Sequence, residues 1–306
     1  MKTYYNFNIK KKHKNSVIAI GNFDGIHLGH QKVILQAKKK AKKNNLPFGV
    51  VTFEPMPVMY FNPNIKNHRI NSFEQKREQL KKLKLDFLII INFNERFSNV
   101  SAEQFVKKFL HEKINSKFIF VSNNFKFGKN RKGNIKTLNR FKKTLDFKTI
   151  VTSPLKRSNN IISSTLIRKN ISLGQIDDAN KLLNRIWSVE GKVIKGEKRG
   201  RKIGFPTCNV KLNDYIVPKL GVYAVIININ NHQKKGIANI GYRPTFNGQN
   251  LLLEVNIFGI NRNLYNKIIK INFIRFIRPE RKFKNLEKLK KQIKLDISLA
   301  KKYVKR

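Results

Sequence analysis

Apolar residues in the first half of the chain come in short unbroken runs separated by longer amphipathic stretches. Residues 17–20, 48–53, 87–93 and 118–122 are apolar almost throughout, which predicts strands buried on both faces. Between them, Val33, Ile34, Ala37 and Ala41 recur at helical spacing from Gln31 onward, and Leu80 and Leu83 sit among charges over 73–84. Ser101, followed by Gln104, reads as a capping box that opens a helix running through Ile114. Strand–helix alternation of this kind predicts a doubly wound parallel sheet, whose ligands collect at the carboxyl ends of the strands.

The texture changes at about Trp187. Residues 188–196, 221–230, 235–241, 251–258 and 267–277 are rich in β-branched side chains, with Asn230-Asn231 and Asn247-Gly248 as turn signals. Strands without intervening helices predict a small antiparallel β-barrel. Asn285 is placed to cap a closing helix whose inner face is Leu286, Leu289, Ile293, Ile297 and Ala300. The expected fold class is therefore α/β followed by β: a Rossmann-like domain over 1–186 and a barrel domain with a terminal helix over 187–306.

Composition narrows the function classes. At 306 residues the chain has room for two ordinary domains. No apolar run is long enough to cross a bilayer, and residues 1–15 are polar and lysine-rich without the apolar core of a signal peptide, so a cytoplasmic location with no membrane partner is expected. The single cysteine, Cys208, excludes an internal disulfide and a cysteine-based zinc cluster and is expected to be a small packed residue. The net charge of +47 would ordinarily suggest nucleic acid as partner. Lysine is instead spread along the whole chain beside abundant Asn and Ile, which reads as the drift of an AT-rich genome, and no specific nucleic-acid partner is expected. Any self-association is expected to be weak.

The chemistry concentrates first at Gly21-Asn22-Phe23-Asp24-Gly25-Ile26-His27-Leu28-Gly29-His30, between the first apolar run and its helix. Gly25 and Gly29 let backbone approach a ligand, and a helix start offers unpaired N–H groups and a positive dipole end to an anion. His27 and His30 can face one phosphorus centre. Each residue alone has an ordinary structural explanation; strand, Asn-Phe-Asp-Gly, His-x-Gly-His and helix in this order resemble the signature of the nucleotidylyltransferase superfamily. That resemblance implies α-phosphate stabilisation of ATP by the two imidazoles. Further segments extend it: Thr52-Phe53-Glu54-Pro55, Asn124-Phe125-Lys126-Phe127-Gly128 with Arg131 and Gly133, and Ile162-Ser163-Ser164-Thr165 with Ile167 and Arg168. By themselves the second could be a strand end with two core aromatics and the third an N-cap. Within the resemblance, Asn124, Phe125, Phe127 and Arg131 form a flavin-side loop, while Ser163, Ser164, Thr165 and Arg168 hold the leaving pyrophosphate.

The second half carries Arg199-Gly200-Arg201-Lys202-Ile203-Gly204-Phe205-Pro206-Thr207-Cys208-Asn209, then Gly221-Val222-Tyr223 and 238–246. A glycine-rich loop can wrap phosphates, and the Thr207 hydroxyl and Asn209 amide are oxygen ligands suited to a magnesium ion that keeps several waters. Glu254 interrupts an apolar run as either the solvent side of a strand or a carboxylate that orients a nucleophile. These motifs resemble riboflavin kinase, and the whole chain from Val17 onward is similar to the bacterial bifunctional riboflavin kinase/FMN adenylyltransferase family. The resemblance implies MgATP bound by Gly196, Arg201, Gly204, Phe205, Pro206, Thr207 and Asn209, with Glu254 catalytic and Arg278, Glu280 and Phe283 facing the flavin. It also implies riboflavin, FMN, FAD and ATP as the small-molecule partners. Departures from the family pattern stand at Met56, Ser122, Asn134, Leu166 and Asn256. The competing expectations are a chain retaining only the kinase and a basic nucleic-acid-binding protein.

Overall fold

A computed structural model of the chain describes residues 1–195, 199–230, 232–245, 248–260 and 263–304, with the side chains of 199, 202, 243–245 and 248–250 left aside. The chain divides into two units, Met1–Ile65 with Phe73–Ser163, and Lys66–Ser72 with Ser164–Arg306.

Six parallel strands build the first unit: β1 (Lys2–Tyr4), β2 (Val17–Ile20), β3 (Phe48–Glu54), β4 (Phe87–Asn92), β5 (Phe118–Ser122) and β6 (Lys148–Thr152), in the order β1-β4-β3-β2-β5-β6. Alternation along each strand feeds two cores. Ile18, Ile20, Val51, Ile89 and Val121 join one, and Val17, Ala19, Val50, Leu88 and Phe120 the other. The helices Leu28–Lys43 and Phe73–Lys82 supply Ile34 and Leu80 to the second core, and Leu138 of the helix Ile135–Phe141 belongs to the first. Each such side chain, fully removed from water, is worth roughly 1.5–3 kcal/mol. A short hairpin, β7 (Lys156–Arg157) with β8 (Asn160–Ile161), ends the unit.

Two strands of the parallel sheet were not expected, nor was the β7–β8 hairpin. β1 is three residues with one buried, too short to show a period, and β6 is an edge strand that leaves Lys148 and Val151 exposed. The capping box at Ser101 is present: Gln104 N donates to Ser101 Oγ at 3.1 Å, and Ser101 N to Gln104 Oε1 at 3.0 Å. The helix it opens is α-helical only over Ala102–Gln104 and continues as a π-helix, Phe105–Lys113. The wider turn buries Phe105, Val106 and Leu110 and sets Phe109 against Phe7 at 4.5 Å between ring centres. A reading based on a 3.6-residue period does not resolve that change.

The second unit is a closed antiparallel barrel of β9 (Ser188–Ile194), β10 (Cys208–Val210), β11 (Gly221–Ile229), β12 (His232–Thr245), β13 (Gly248–Ile257) and β14 (Ile268–Pro279), ordered β10-β13-β12-β11-β14-β9. Of the expected turn residues, Asn231 and Asn247 lie outside the described residues. Tyr223, Val225, Leu253, Ile271 and Phe273 are completely buried. Trp187 packs on Phe273 and donates Nε1–H to Ile70 O at 2.7 Å. Ile70 belongs to Lys66–Ser72, which bonds here through Arg69 N to Asp214 O and Ile216 N to Arg69 O, at 2.8 and 2.7 Å. The helices Ser164–Ser172 and Ile176–Leu183 belong to the same unit.

The closing helix, Leu286–Tyr303, is capped as expected, with Lys288 N donating to Asn285 Oδ1 at 3.0 Å. Its inner face differs from the predicted stripe. Ala300, with Ile293 and Ile297, packs against Val222 and Ile237, but Leu286 is exposed, and the most deeply buried residue of the helix besides Ala300 is Asp296. The reason is electrostatic. Arg278 of β14 donates to both Asp296 oxygens, at 3.0, 3.0 and 2.7 Å, and neutralises the carboxylate where it is buried.

Candidate active sites

In the first unit, strand order reverses between β2 and β5, so the exit of β2 is the switch point where α/β sheets bind ligands. Phe23, Gly25 and Ile26 take φ of 49°, 81° and 37° there. Only glycine does so without strain; Phe23 and the β-branched Ile26 are held by burial, at 1% and 2% exposure. Gln31 Nε2 donates to Ile26 O at 2.9 Å and Thr52 Oγ to Asn22 O at 3.1 Å, fixing the turn at both ends. Asp24 is buried.

His27 is the N-cap of Leu28–Lys43, and its Nδ1 accepts from His30 N at 3.3 Å. An accepting Nδ1 carries no proton, so the neutral ring has its N–H at Nε2. The His30 ring stacks on His27 with centres 3.7 Å apart and meets Phe23 edge-on at 5.3 Å. A Cβ at Gly29 would stand 3.1 Å from the His27 ring and 3.2 Å from Ile162 O, so glycine is what lets the first helical turn close on the imidazole. No acidic residue lies in that turn to offset the helix dipole.

Further round the same unit, the loop after β5 divides its residues. Phe127 is buried, packs on Phe105 at 5.3 Å, and exchanges two backbone hydrogen bonds with Gly133 at 3.1 and 2.9 Å. Phe125 stacks on Phe127 and is half-buried, whereas Asn124 and Arg131 are exposed. Ser122 Oγ bonds Asn124 Oδ1 at 2.8 Å, and Asn134 caps Ile135–Phe141 by accepting from Lys136 N and Thr137 N. Met56, at 2% exposure, is a core residue. Lys76 was not anticipated: its buried ammonium donates to Phe53 O at 3.4 Å and pairs with Glu54 Oε2 at 3.5 Å, at the carboxyl end of β3. One lysine among so many carries no sequence signal. Ser163 closes the first unit. Ser164, Thr165 and Arg168 lie on a helix of the second, where Arg168 Nε donates to His68 O at 2.8 Å.

In the barrel, Gly196 lies outside the described residues. The loop from Gly200 closes on itself, with Phe205 N donating to Gly200 O at 2.8 Å and Gly204 N to Arg201 O at 3.2 Å. Asn256 Nδ2 donates to Pro206 O at 2.7 Å, tying the loop to β13. β10, a strand the sequence reading missed, sets the chemistry: Asn209 pairs in register with Glu254 of β13, and Glu254 with Asn239 of β12. Val210, Leu253, Val255, Ala238 and Ile240 are buried in the interior, so Asn209, Glu254 and Asn239 form a row on the outer face. Thr207 and Arg201 are exposed, and Phe205 and Pro206 are half-buried. Asn239 Nδ2 donates to Glu280 Oε1 at 3.4 Å. Arg278 is committed to Asp296, and Phe283 lies 5.7 Å from its guanidinium. Cys208 is a free thiol that burial pushes up to a pKa of about 11. Among the described residues no three His, Cys, Asp or Glu gather for a metal. The oxygen set at hand, Thr207 hydroxyl, Asn209 amide and Glu254 carboxylate, fits a hard cation that retains water.

A parallel sheet with an imidazole pair at its switch point, and a barrel with an amide–carboxylate row beside a glycine-rich loop, gather groups of the kind found in phosphate-transferring enzymes. The FAD synthetase family model matches residues 9–166 and the riboflavin kinase model 183–304. Over nearly its full length the chain is similar to bifunctional riboflavin kinase/FMN adenylyltransferases. Identity is 43% to that of Buchnera aphidicola subsp. Schizaphis graminum, covering 97% of this chain and 96% of the relative. It is 39% to the Bacillus subtilis enzyme (96% and 94%) and 33% to that of Escherichia coli K12 (94% and 92%). The chain belongs to the bifunctional riboflavin kinase/FMN adenylyltransferase family. A crystal structure described as a macrolide-efflux protein from Streptococcus pneumoniae matches with a TM-score of 0.88 at 30% identity over 98% of each chain. No helix among the described residues is long and apolar enough to cross a membrane.

Proposed function

We propose that the chain makes FAD in two steps, with the residue roles assigned as follows. In the barrel, the γ-phosphoryl of ATP passes to the 5′-hydroxyl of riboflavin. Gly196, Arg201, Gly204, Phe205 and Pro206 bind the nucleotide, and Glu254 orients and deprotonates the hydroxyl. Thr207 and Asn209 would hold Mg²⁺, which when bound neutralises charge on the phosphates. Arg278, Glu280 and Phe283 form the loop that meets the flavin. In the first domain, the FMN phosphate attacks the α-phosphorus of a second ATP held by Asn22, Phe23, Asp24, Gly25 and Gly29. His27 and His30, stacked at the N-terminus of the helix Leu28–Lys43, stabilise the charge that develops. Asn124, Phe125, Phe127 and Arg131 bind the flavin of FMN, and Ser163, Ser164, Thr165 and Arg168 take the pyrophosphate. No covalent enzyme intermediate is required, since positioning and electrostatics supply most of what these transfers need.

The functional boundary falls at 186/187. β9 begins at Ser188 and the riboflavin kinase model at 183, which supports that division. The observation that carries the whole reading is the pairing of Asn209 with Glu254 beside the Thr207 loop, in a chain that also holds the His27–His30 stack. Purified protein incubated with riboflavin, MgATP and a reductant, followed by chromatographic separation of flavins, is expected to yield FMN and then FAD. FMN without FAD would select the kinase-only alternative, and neither product would end the proposal.

A further inference from the structure

On the outer face of the barrel, Asn239 is bonded to one carboxylate and stands opposite a second in strand register. In a chain with 18 acidic residues against 65 basic ones, Glu254 and Glu280 both border Asn239. Asn239 stands opposite Glu254 in register, a position at which antiparallel neighbours have Cβ atoms about 4.5–5.5 Å apart. On its other side its Nδ2 donates to Glu280 Oε1 at 3.4 Å. Gly241, two residues along β12 and on the same face, makes room for this arrangement. A Cβ at 241 would overlap Oε1 and Cδ of Glu280, so the carboxylate occupies space that only glycine leaves open.

We propose that Asn239 and Glu280 are positioning residues for phosphoryl transfer, and that Gly241 is the site that admits the Glu280 carboxylate. Glu280 holds the Asn239 amide in one orientation. The amide in turn restricts the rotamers of Glu254, so that its carboxylate is presented toward Asn209 and the Thr207 loop. Glu280 acts on Asn239 as a hydrogen-bond acceptor, and its effect reaches Glu254 through the cross-strand proximity of Asn239. This rests on the reading that Glu254 orients the riboflavin hydroxyl.

Gly241→Ala is a sharp probe, because the atoms it displaces are the far end of a flexible side chain, so the fold gives way there and Glu280 is evicted. Gly241→Ala and Glu280→Ala are each expected to lower kcat for riboflavin phosphorylation ~10-fold at saturating riboflavin. Because both break the same link, Gly241→Ala/Glu280→Ala should also lose ~10-fold, where independent effects would multiply to ~100-fold. Glu280→Gln keeps an acceptor oxygen and should recover most of the kcat lost in Glu280→Ala. Conversion of supplied FMN to FAD should stay at the parental rate in every variant, which reports an intact chain. A multiplicative double variant, a Gly241→Ala enzyme with parental kcat, or a Gln variant as impaired as Ala would each overturn the link from Glu280 through Asn239 to Glu254. Undiminished phosphorylation in Glu254→Ala would instead overturn the underlying assignment of Glu254.

Discussion

His27 accepts the His30 N–H with Nδ1 as the helix cap and stacks on the His30 ring, so the first helical turn orients the two imidazoles together. Removing one such donor typically lowers a rate by roughly 100-fold or more. His30→Ala should therefore depress conversion of FMN to FAD by about that factor while FMN formation from riboflavin persists; equal loss of both would sink the assignment of separate sites. Glu254→Ala should do the reverse, sparing FAD formation from supplied FMN. Away from both sites, His13 is buried, receives the Tyr4 hydroxyl at 2.8 Å, and stacks on Phe87 at 4.9 Å. Desolvation, reinforced by Lys12, lowers its pKa below the ordinary 6.5. Below that value the unfolded chain binds the proton more readily than the folded one, so this contribution is whole above 6.5 and is lost as pH falls through the folded pKa. The urea midpoint should drop between about pH 7.5 and about pH 5.5, and His13→Phe should flatten part of that drop. A variant with undiminished pH dependence would remove His13 as a cause.

At the scale of elements, short strands and turns were the hardest to read. β10 is three residues long, yet its pairing with β13 is what brings Asn209 beside Glu254. Asparagine, taken from the sequence as compositional drift, has a use in the fold: most left-handed residues other than glycine are asparagines, among them Asn45, Asn115, Asn184 and Asn213. Its short side chain tolerates that conformation better than most. The closing helix offers a ranked pair of predictions. Asn285→Ala removes a cap and should cost about 1 kcal/mol. Asp296→Ala strands the Arg278 guanidinium, whose side chain is 12% exposed, and should cost more, about 3–5 kcal/mol. Denaturant melts of the two variants would check the order; a smaller loss for Asp296→Ala would show that the pair is not what docks the helix.

For the molecule as a whole, the charge of +47 is the feature most open to misreading. If it is solvated drift, RNA and DNA should bind weakly, and binding should vanish at physiological salt; tight binding there with a steep salt slope would make nucleic acid a partner. Much of the architecture was legible beforehand. The four central strands, the burial of Val33, Ile34, Ala37 and Ala41, and the capping box at Ser101 all stand where hydrophobic period and cap chemistry put them. These depend on residues within a turn or two of one another, and a sequence displays such relations directly. The His-x-Gly-His and Pro-Thr-Cys-Asn segments were legible for the same reason. What the tertiary structure alone decided were relations across long stretches of chain: the sixth barrel strand, the capture of Lys66–Ser72 by the barrel unit, the burial of Asp296 under Arg278, and the row Asn209–Glu254–Asn239. Each joins segments whose local patterns say nothing of one another. Their energy comes from pairing, burial and charge neutralisation that exist only once the chain has closed those loops.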